Sequence, residues 1–218
     1  MTPKILSRGA EAVIYKKGDF VVKKRIEKSY RISEIDERIR KLRTRGEAKI
    51  MERISKIINV PKISKPDEKN KEILMEFIDG LKLSENLDKF NLEEQKKIAR
   101  KIGQDVAKMH DVNVVHGDLT TSNLIWKDVT PKGVPRKILG KDFYKGQIYF
   151  IDFGLGFYSI KIEDKAVDLH LLKQALEAKH FQNFEILFRE ILKNYKSKDR
   201  NKILTQLEKV EKRRRYKN

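Results

Sequence analysis

Short apolar runs broken by turn residues fill the first 25 positions, after which the apolar spacing lengthens to that of helices. Ala12–Tyr15 and Phe20–Val22 read as strands joined by the turn Lys17-Gly18-Asp19. Ser33 with Asp36 three residues on resembles a capping box and predicts a long helix to about Ile58, with Pro61 and Pro66 marking its end. Ile35, Ile39, Leu42, Ile50, Ile54 and Ile58 share one arc of that helix, roughly −20° to 140° at about 100° per residue. Glu72–Ile78 reads as a strand closed by Asp79-Gly80. Asn91-Leu92-Glu93-Glu94 starts a second helix to about His110, whose apolar face is Ile98, Ile102, Val106 and Met109. A short strand Leu124–Trp126, a Gly/Pro/Lys-rich insert over 127–147 that reads as an extended hairpin, and a hydrophobic strand Ile148–Ile151 follow. From Asp164 onward the pattern is helical. No internal repeat interrupts this order. A strand-rich third followed by a helical remainder predicts an α+β chain of two lobes, 1–79 and 80–218.

Charge adds a second layer. The 218 residues carry 50 Lys plus Arg against 32 Asp plus Glu, a formal net charge of +18. The excess is uneven: Lys16–Lys56 holds 15 basic and 7 acidic residues, and Lys196–Asn218 holds 10 and 3. The densest cluster is Lys212, Arg213, Arg214, Arg215 and Lys217, within a tail over 208–218 suited to phosphate contacts and counterion release. With 39% hydrophobic residues the chain can build a core, which a disordered basic tail cannot. Cysteine is absent, excluding disulfides, thiolate catalysis and cysteine–zinc sites. No apolar run approaches the roughly 18 residues of a membrane span, and MTPKILSRGAEA lacks a signal peptide's apolar stretch, so a cytoplasmic protein without a membrane partner is expected. Heavy Lys, Arg, Glu and Ile use fits a thermophilic source.

The chemistry concentrates in two motifs. His116-Gly117-Asp118-Leu119-Thr120-Thr121-Ser122-Asn123 has the Asp-four-residues-Asn spacing of a protein-kinase catalytic loop, and Ile151-Asp152-Phe153-Gly154 matches the kinase metal-binding triplet. Phosphoryl transfer needs one carboxylate to accept the nucleophile's proton, here Asp118. It needs a second carboxylate to hold magnesium, here Asp152, and a neutral amide oxygen to complete the metal shell, here Asn123. Either motif alone could be an ordinary Asp-containing turn; both in this order leave little room for chance. The pattern then demands an upstream strand lysine, and Phe20-Val21-Val22-Lys23 supplies it, with Lys24 pointing to the opposite face. It also demands a helix glutamate. Glu47 falls at about 120° on the wheel, inside the apolar arc, where a carboxylate needs a buried partner such as Lys23, whereas Glu52 falls at about 260°, on the polar face. Gly9, Ala10 and Glu11 occupy the place of the phosphate-covering loop, although one glycine stands where that motif has three. Glu76 and Ile78 stand where a hinge would read an adenine edge.

These residues together resemble the small atypical serine/threonine kinase subunit of the KEOPS (EKC) complex, a kinase-like family close to the RIO kinases. The resemblance is carried by Gly9-Ala10-Glu11-Ala12, Val22-Lys23-Lys24-Arg25, Lys28-Ser29-Tyr30-Arg31 and Arg43-Thr44-Arg45-Gly46-Glu47-Ala48. The two motifs above and Glu163-Asp164-Lys165-Ala166-Val167-Asp168-Leu169 complete it, so it covers essentially the whole chain. It implies a bilobal protein-kinase-like fold: a small strand-rich N-lobe with one long helix, and a reduced helical C-lobe. It further implies ATP and Mg2+ as cofactors and a role in threonylcarbamoyl-adenosine formation on tRNA. The partners implied are the KEOPS threonylcarbamoyltransferase subunit, a small helical KEOPS subunit, and tRNA held by the basic tail and the N-lobe helix. Departures from ordinary kinases are informative. Gly117 replaces the arginine that would pair with a phosphorylated activation loop, only 15 residues separate Asp152 from Asp168, and no Ala-Pro-Glu follows. A missing peptide platform favours ATP hydrolysis coupled to a complex over broad kinase activity. The rivals are a RIO-type kinase of ribosome maturation and an RNA-binding scaffold with a vestigial kinase fold. An aminoglycoside-type phosphotransferase shares His-Gly-Asp, but the basic tail and small C-lobe argue against it.

Overall fold

The computed structural model describes residues 4–64, 66–129 and 146–215, the side chains of Arg214 and Arg215 excepted. Strands β1 (Lys4–Arg8), β2 (Ala12–Lys17), β3 (Phe20–Arg25) and β4 (Glu72–Glu76) form one antiparallel sheet in that order. β1 is absent from the sequence reading because every one of its residues is exposed, which leaves no alternation to detect. Between β3 and β4 runs α1 (Ser33–Ile54).

Two expectations for α1 are corrected. Its N-cap is Ile32, which has no side chain able to cap, and the Ser33–Asp36 box does not form. Asp36 is instead buried beneath arginines, accepting from Arg40 Nε at 2.5 Å and Arg31 Nη1 at 3.4 Å. The apolar arc is also too long: Ile35 and Leu42 are 51% and 55% exposed. Apart from Asp36, the buried positions are Thr44, Glu47, Ala48, Ile50, Met51 and Ile54, so only the C-terminal half of α1 joins the core.

The remainder is mainly helical. β5 (Leu81–Lys82) and α2 (Leu83–Asn86) lead to α3 (Leu92–Asp111), whose start is a complete capping box between Asn91 and Glu94. β6 (Val114–Val115), β7 (Leu124–Asp128), β8 (Gly146–Phe150) and β9 (Phe157–Tyr158) follow, then α4 (Ile162–Lys179), α5 (Phe184–Asn194) and α6 (Arg200–Arg215). β5, β7 and β8 make a three-stranded sheet, and β6 pairs with β9. The β7–β8 register, Lys127 opposite Gln147 and Asp128 opposite Gly146, is the base of the expected hairpin; residues 130–145 of that insert lie outside the described residues. Ile98, Ile102, Val106 and Met109 are all 1% exposed or less and sit in the main hydrophobic core with Ile50, Met51 and Ile54 of α1. Burying each such side chain contributes roughly 1.5–3 kcal/mol, enough to fix α3 as the scaffold beneath the loops.

α3 and α5 touch backbone to side: a Cβ on Gly103 would lie 2.3 Å from the Ile191 carbonyl oxygen. Gly103→Ala is therefore expected to cost about 1–3 kcal/mol from forcing the helices apart, despite alanine's better helix propensity. Denaturant unfolding checks it, and a stabilised variant would contradict the close contact.

Candidate active site

Alternation along β3 puts Val22 and Lys24 on one face and Lys23 and Arg25 on the other. Lys24 meets Glu72 at 2.8 Å in a half-exposed pair. Lys23 and Arg25 are each 5% exposed and converge on Glu47 of α1, itself 2% exposed. Lys23 Nζ donates to Glu47 Oε1 at 2.6 Å, and Arg25 Nη2 donates to Glu47 Oε2 at 2.6 Å, so the buried carboxylate has one cation on each oxygen. Lys23 Nζ also donates to Asp152 Oδ1 at 2.6 Å. The sequence reading names Arg25 only within the Val22–Arg25 motif and gives it no role, although its position two residues beyond Lys23 puts it on the same face.

Asp152 follows β8 in a left-handed conformation, φ 62°, which an aspartate adopts when neighbours hold it there. Gly154 N–H donates to its Oδ1 at 3.2 Å. Burial pushes the Asp152 carboxyl up, yet the Lys23 ammonium and the Gly154 N–H outweigh it and hold the group below the ordinary carboxylate value. Burial likewise pulls Lys23 down, while Glu47 and Asp152 lift it to a net rise. Because the folded Asp152 midpoint lies below the unfolded one, its stabilisation is full above the unfolded carboxylate range. It fades as pH falls through the folded midpoint. Lys23→Met removes the ammonium and leaves the burial, so Asp152 is expected to titrate above its wild-type midpoint. Carboxyl carbon NMR in metal-free buffer reads this directly, and an unmoved midpoint would contradict it.

The loop after β6 is held from behind. The Asp168 carboxylate, 1% exposed, accepts the His116 N–H at 2.6 Å and the Gly117 N–H at 2.9 Å, with His110 Nε2 at 3.2 Å. Sequence marked Asp168 only as part of a motif; its partners are backbone amides, which no side-chain pattern announces. His116 packs on Phe153 with ring centroids 4.6 Å apart, and its Nε2 stands 3.1 Å from the Ile151 carbonyl. Asn123 Nδ2 donates to Asp118 Oδ2 and to the Asp118 carbonyl, both at 2.9 Å. With its NH2 committed there, Asn123 offers a cation only its carbonyl oxygen. Ile151 N–H donates to the Asn123 backbone carbonyl at 3.0 Å, tying this loop to the Asp152 turn.

The remaining expected residues lie around this centre. Gly9 N–H donates to the Ala12 carbonyl at 3.0 Å, Lys28 Nζ donates to the Ala10 carbonyl, and Glu11 pairs with Arg43 of α1 at 2.8 Å. Among the described residues a Cβ on Gly9 would meet only the Ala12 oxygen, at 3.8 Å, so no described neighbour demands glycine there. Glu76 pairs opposite Phe20 while Ile73 faces Lys23, which puts Glu76 roughly 10 Å along the strand from the lysine. Glu76 N–H goes to the Lys62 carbonyl at 2.7 Å, and Ile78 is buried. Far from this cluster in sequence, Lys212 is exposed on α6 and Arg213 Nη1 pairs with Glu163 at 2.6 Å. The Arg214 and Arg215 side chains and all of Lys217 lie outside the described residues.

Among the described residues no three His, Cys, Asp or Glu side chains gather as a metal cluster. Asp152 and Asn123 instead present two hard oxygen donors, a set that fits a magnesium ion whose other ligands are phosphate oxygens and water.

Residues 10–132 match the RIO domain family. The chain is 42% identical over 204 residues to the KEOPS complex subunit Bud32 of Pyrococcus abyssi, covering 88% of this chain and 84% of that protein. It is 36% identical over 220 residues to a probable bifunctional tRNA threonylcarbamoyladenosine biosynthesis protein of Methanobrevibacter smithii, with 97% of this chain but only 36% of that longer protein covered. In three dimensions it resembles the Rio2 kinase–ADP/Mg2+–phosphoaspartate complex from Chaetomium thermophilum, with TM-score 0.62 and 12% identity over 99% of this chain and 72% of the other. That likeness establishes a protein-kinase-like fold.

Proposed function

The chain belongs to the RIO-domain family and, within it, to the family of the KEOPS subunit Bud32, and from this we propose that it is an atypical Ser/Thr kinase and ATPase serving threonylcarbamoyl-adenosine formation on tRNA. One observation carries the reading. Lys23, Glu47 and Asp152, distant in sequence, meet at 2.6 Å contacts beside a loop that orients Asp118 and Asn123. A scaffold has no need for that set.

Lys23 provides the cation for the nucleotide phosphates, and Glu47 keeps it aimed. Asp152 and the Asn123 carbonyl oxygen hold Mg2+, Gly9, Ala10 and Glu11 cover the phosphates, and backbone groups at Glu76 and Ile78 take the adenine edge. When bound, Mg-ATP supplies the transferable phosphoryl group and the divalent charge that offsets it. Asp118 accepts the proton of the attacking hydroxyl, which comes from water, a partner or the chain's own Ser or Thr. The 79/80 boundary separates the lobe that supplies Lys23 and Glu47 from the lobe that supplies Asp118, Asn123 and Asp152. Further parts of the proposal are a threonylcarbamoyltransferase subunit and a small helical subunit as partners, tRNA contact through Lys212, Arg213, Arg214, Arg215 and Lys217, and a cytoplasmic setting. No helix among the described residues is long and apolar enough to cross a membrane, which is compatible with that setting.

The test uses γ-labelled ATP with magnesium or with chelator, following free phosphate and labelled protein separately. Each is measured with and without tRNA and the transferase subunit, and against pre-ribosomal particles. Magnesium-dependent turnover that responds to transferase and tRNA is expected. A response confined to pre-ribosomal particles would move the assignment to ribosome maturation, full activity toward generic peptides would remove the coupled-ATPase reading, and no turnover in any mixture would leave a scaffold.

A further inference from the structure

In protein kinases the lysine–glutamate pair is a point of control, because the helix carrying the glutamate must be in place before the site works. Here the glutamate has a second cation. Arg25 Nη2 donates to Glu47 Oε2 at 2.6 Å and also to the Arg43 carbonyl, one turn earlier on α1, at 3.3 Å. Arg43 in turn reaches Glu11 in the glycine loop at 2.8 Å. One guanidinium thus fastens β3 to α1 at two points, and α1 carries the loop.

Stability alone does not account for this arrangement. Buried ion clusters are poor stabilisers compared with apolar packing, and Arg25 Nε is buried with no hydrogen-bond partner among the described residues, an added cost. What the arrangement does provide is independence from Lys23. Lys23 divides its ammonium between Glu47 and Asp152. When Lys23 shares its charge with nucleotide phosphates as well, a buried Glu47 paired with it alone is less fully compensated; with Arg25 on its second oxygen it stays paired. The chain also has Gly117 where a kinase regulated by loop phosphorylation has arginine.

We infer that Arg25 is a positioning residue that holds Glu47, and through it α1, in the working position whether or not nucleotide is bound, in place of a phosphorylation switch. The inference rests on the kinase reading of the site for its catalytic consequence, but not for its structural one.

The experiment compares the full wild-type chain with Arg25→Met and Arg25→Lys. Hydrogen exchange over residues 41–51 of α1 is measured without nucleotide, using α3 and α5 as internal references, and ATP kinetics are measured in parallel. Losing a charge-assisted hydrogen bond corresponds to roughly a tenfold to hundredfold change, so Arg25→Met is expected to speed α1 exchange about tenfold or more relative to α3 and α5. Its kcat should fall by a similar factor while KM for ATP moves less than about threefold, with Arg25→Lys recovering part of both. Wild-type protection of α1, exchange raised equally in all three helices, or an unchanged kcat would each overturn the inference. A wild type without turnover would sink the kinase reading alone, because α1 exchange would still decide whether Arg25 holds the helix.

Discussion

Asp118→Asn is expected to lower ATP turnover by about 10²- to 10⁴-fold while leaving the fold and the KM for ATP close to wild type. The structure makes this substitution unusually clean. Asn123 Nδ2 donates to Asp118 Oδ2 at 2.9 Å and to the Asp118 backbone carbonyl at the same distance. An asparagine at 118 can present its own carbonyl oxygen to that donor, and the backbone contact is untouched, so Asn123 keeps the orientation that offers its oxygen to a cation. Asp168 still grips the His116 and Gly117 amides, so the loop itself has no reason to move. What disappears is the charge and the capacity to take a proton. A kcat loss of this size at constant KM therefore reports proton acceptance. Asp152→Asn is the contrasting case: it removes half the anionic charge facing Lys23 and replaces a charged carboxylate donor by a neutral amide oxygen, so its loss should grow as magnesium is lowered. Were Asp118→Asn to retain wild-type turnover, the carboxylate would have no chemical role and the proposed mechanism would fail.

How far the sequence alone reaches depends on whether a residue's partner leaves a local mark. The Asn91 cap of α3 was legible because both halves of its box lie within four residues. The Ser33 start of α1 has the same local spelling but fails, because Arg31 and Arg40 compete for Asp36 and draw it inward. The apolar arc of α1 was overextended at Ile35 and Leu42 because helical periodicity records which residues could face a core, not how far the core extends. Glu47 survived that error, since Ile50 and Ile54 alone place it on the buried side. Arg25 was within reach, as period two from Lys23 predicts its face, yet a cation next to a basic run reads as a solvated charge. Asp168 was beyond reach in its role: it binds main-chain amides more than 50 residues away, and backbone donors are present at nearly every position.

No side chain fits at position 117 without a clash, and this sets the second large effect. Gly117 has φ 77°, and a Cβ there would lie 2.3 Å from the Leu155 carbonyl oxygen and 2.9 Å from its carbon. Neither side can yield easily. Gly117 is anchored by its N–H to Asp168 at 2.9 Å, and the chain beyond Leu155 is held by the pairing of Val115 with Phe157. A side chain must therefore bear the left-handed backbone, about 1–2 kcal/mol, and displace a backbone segment, about 1–3 kcal/mol more. Gly117→Ala is expected to cost roughly 2–5 kcal/mol in all, a large share of a typical domain's stability, and to depress turnover because Asp118 is the next residue. Gly18 supplies the control. Its φ is 62°, but among the described residues nothing lies within 4 Å of the position a Cβ would take, so Gly18→Ala should incur only the backbone part. The difference between the two denaturation midpoints isolates the clash with Leu155. Equal destabilisation would mean that the two loops do not approach as described and that arginine is absent from position 117 for some other reason. A clear excess at Gly117 would show direct contact between the catalytic loop and the segment that follows Asp152, a contact that leaves no room for the arginine of a phosphorylation-regulated loop.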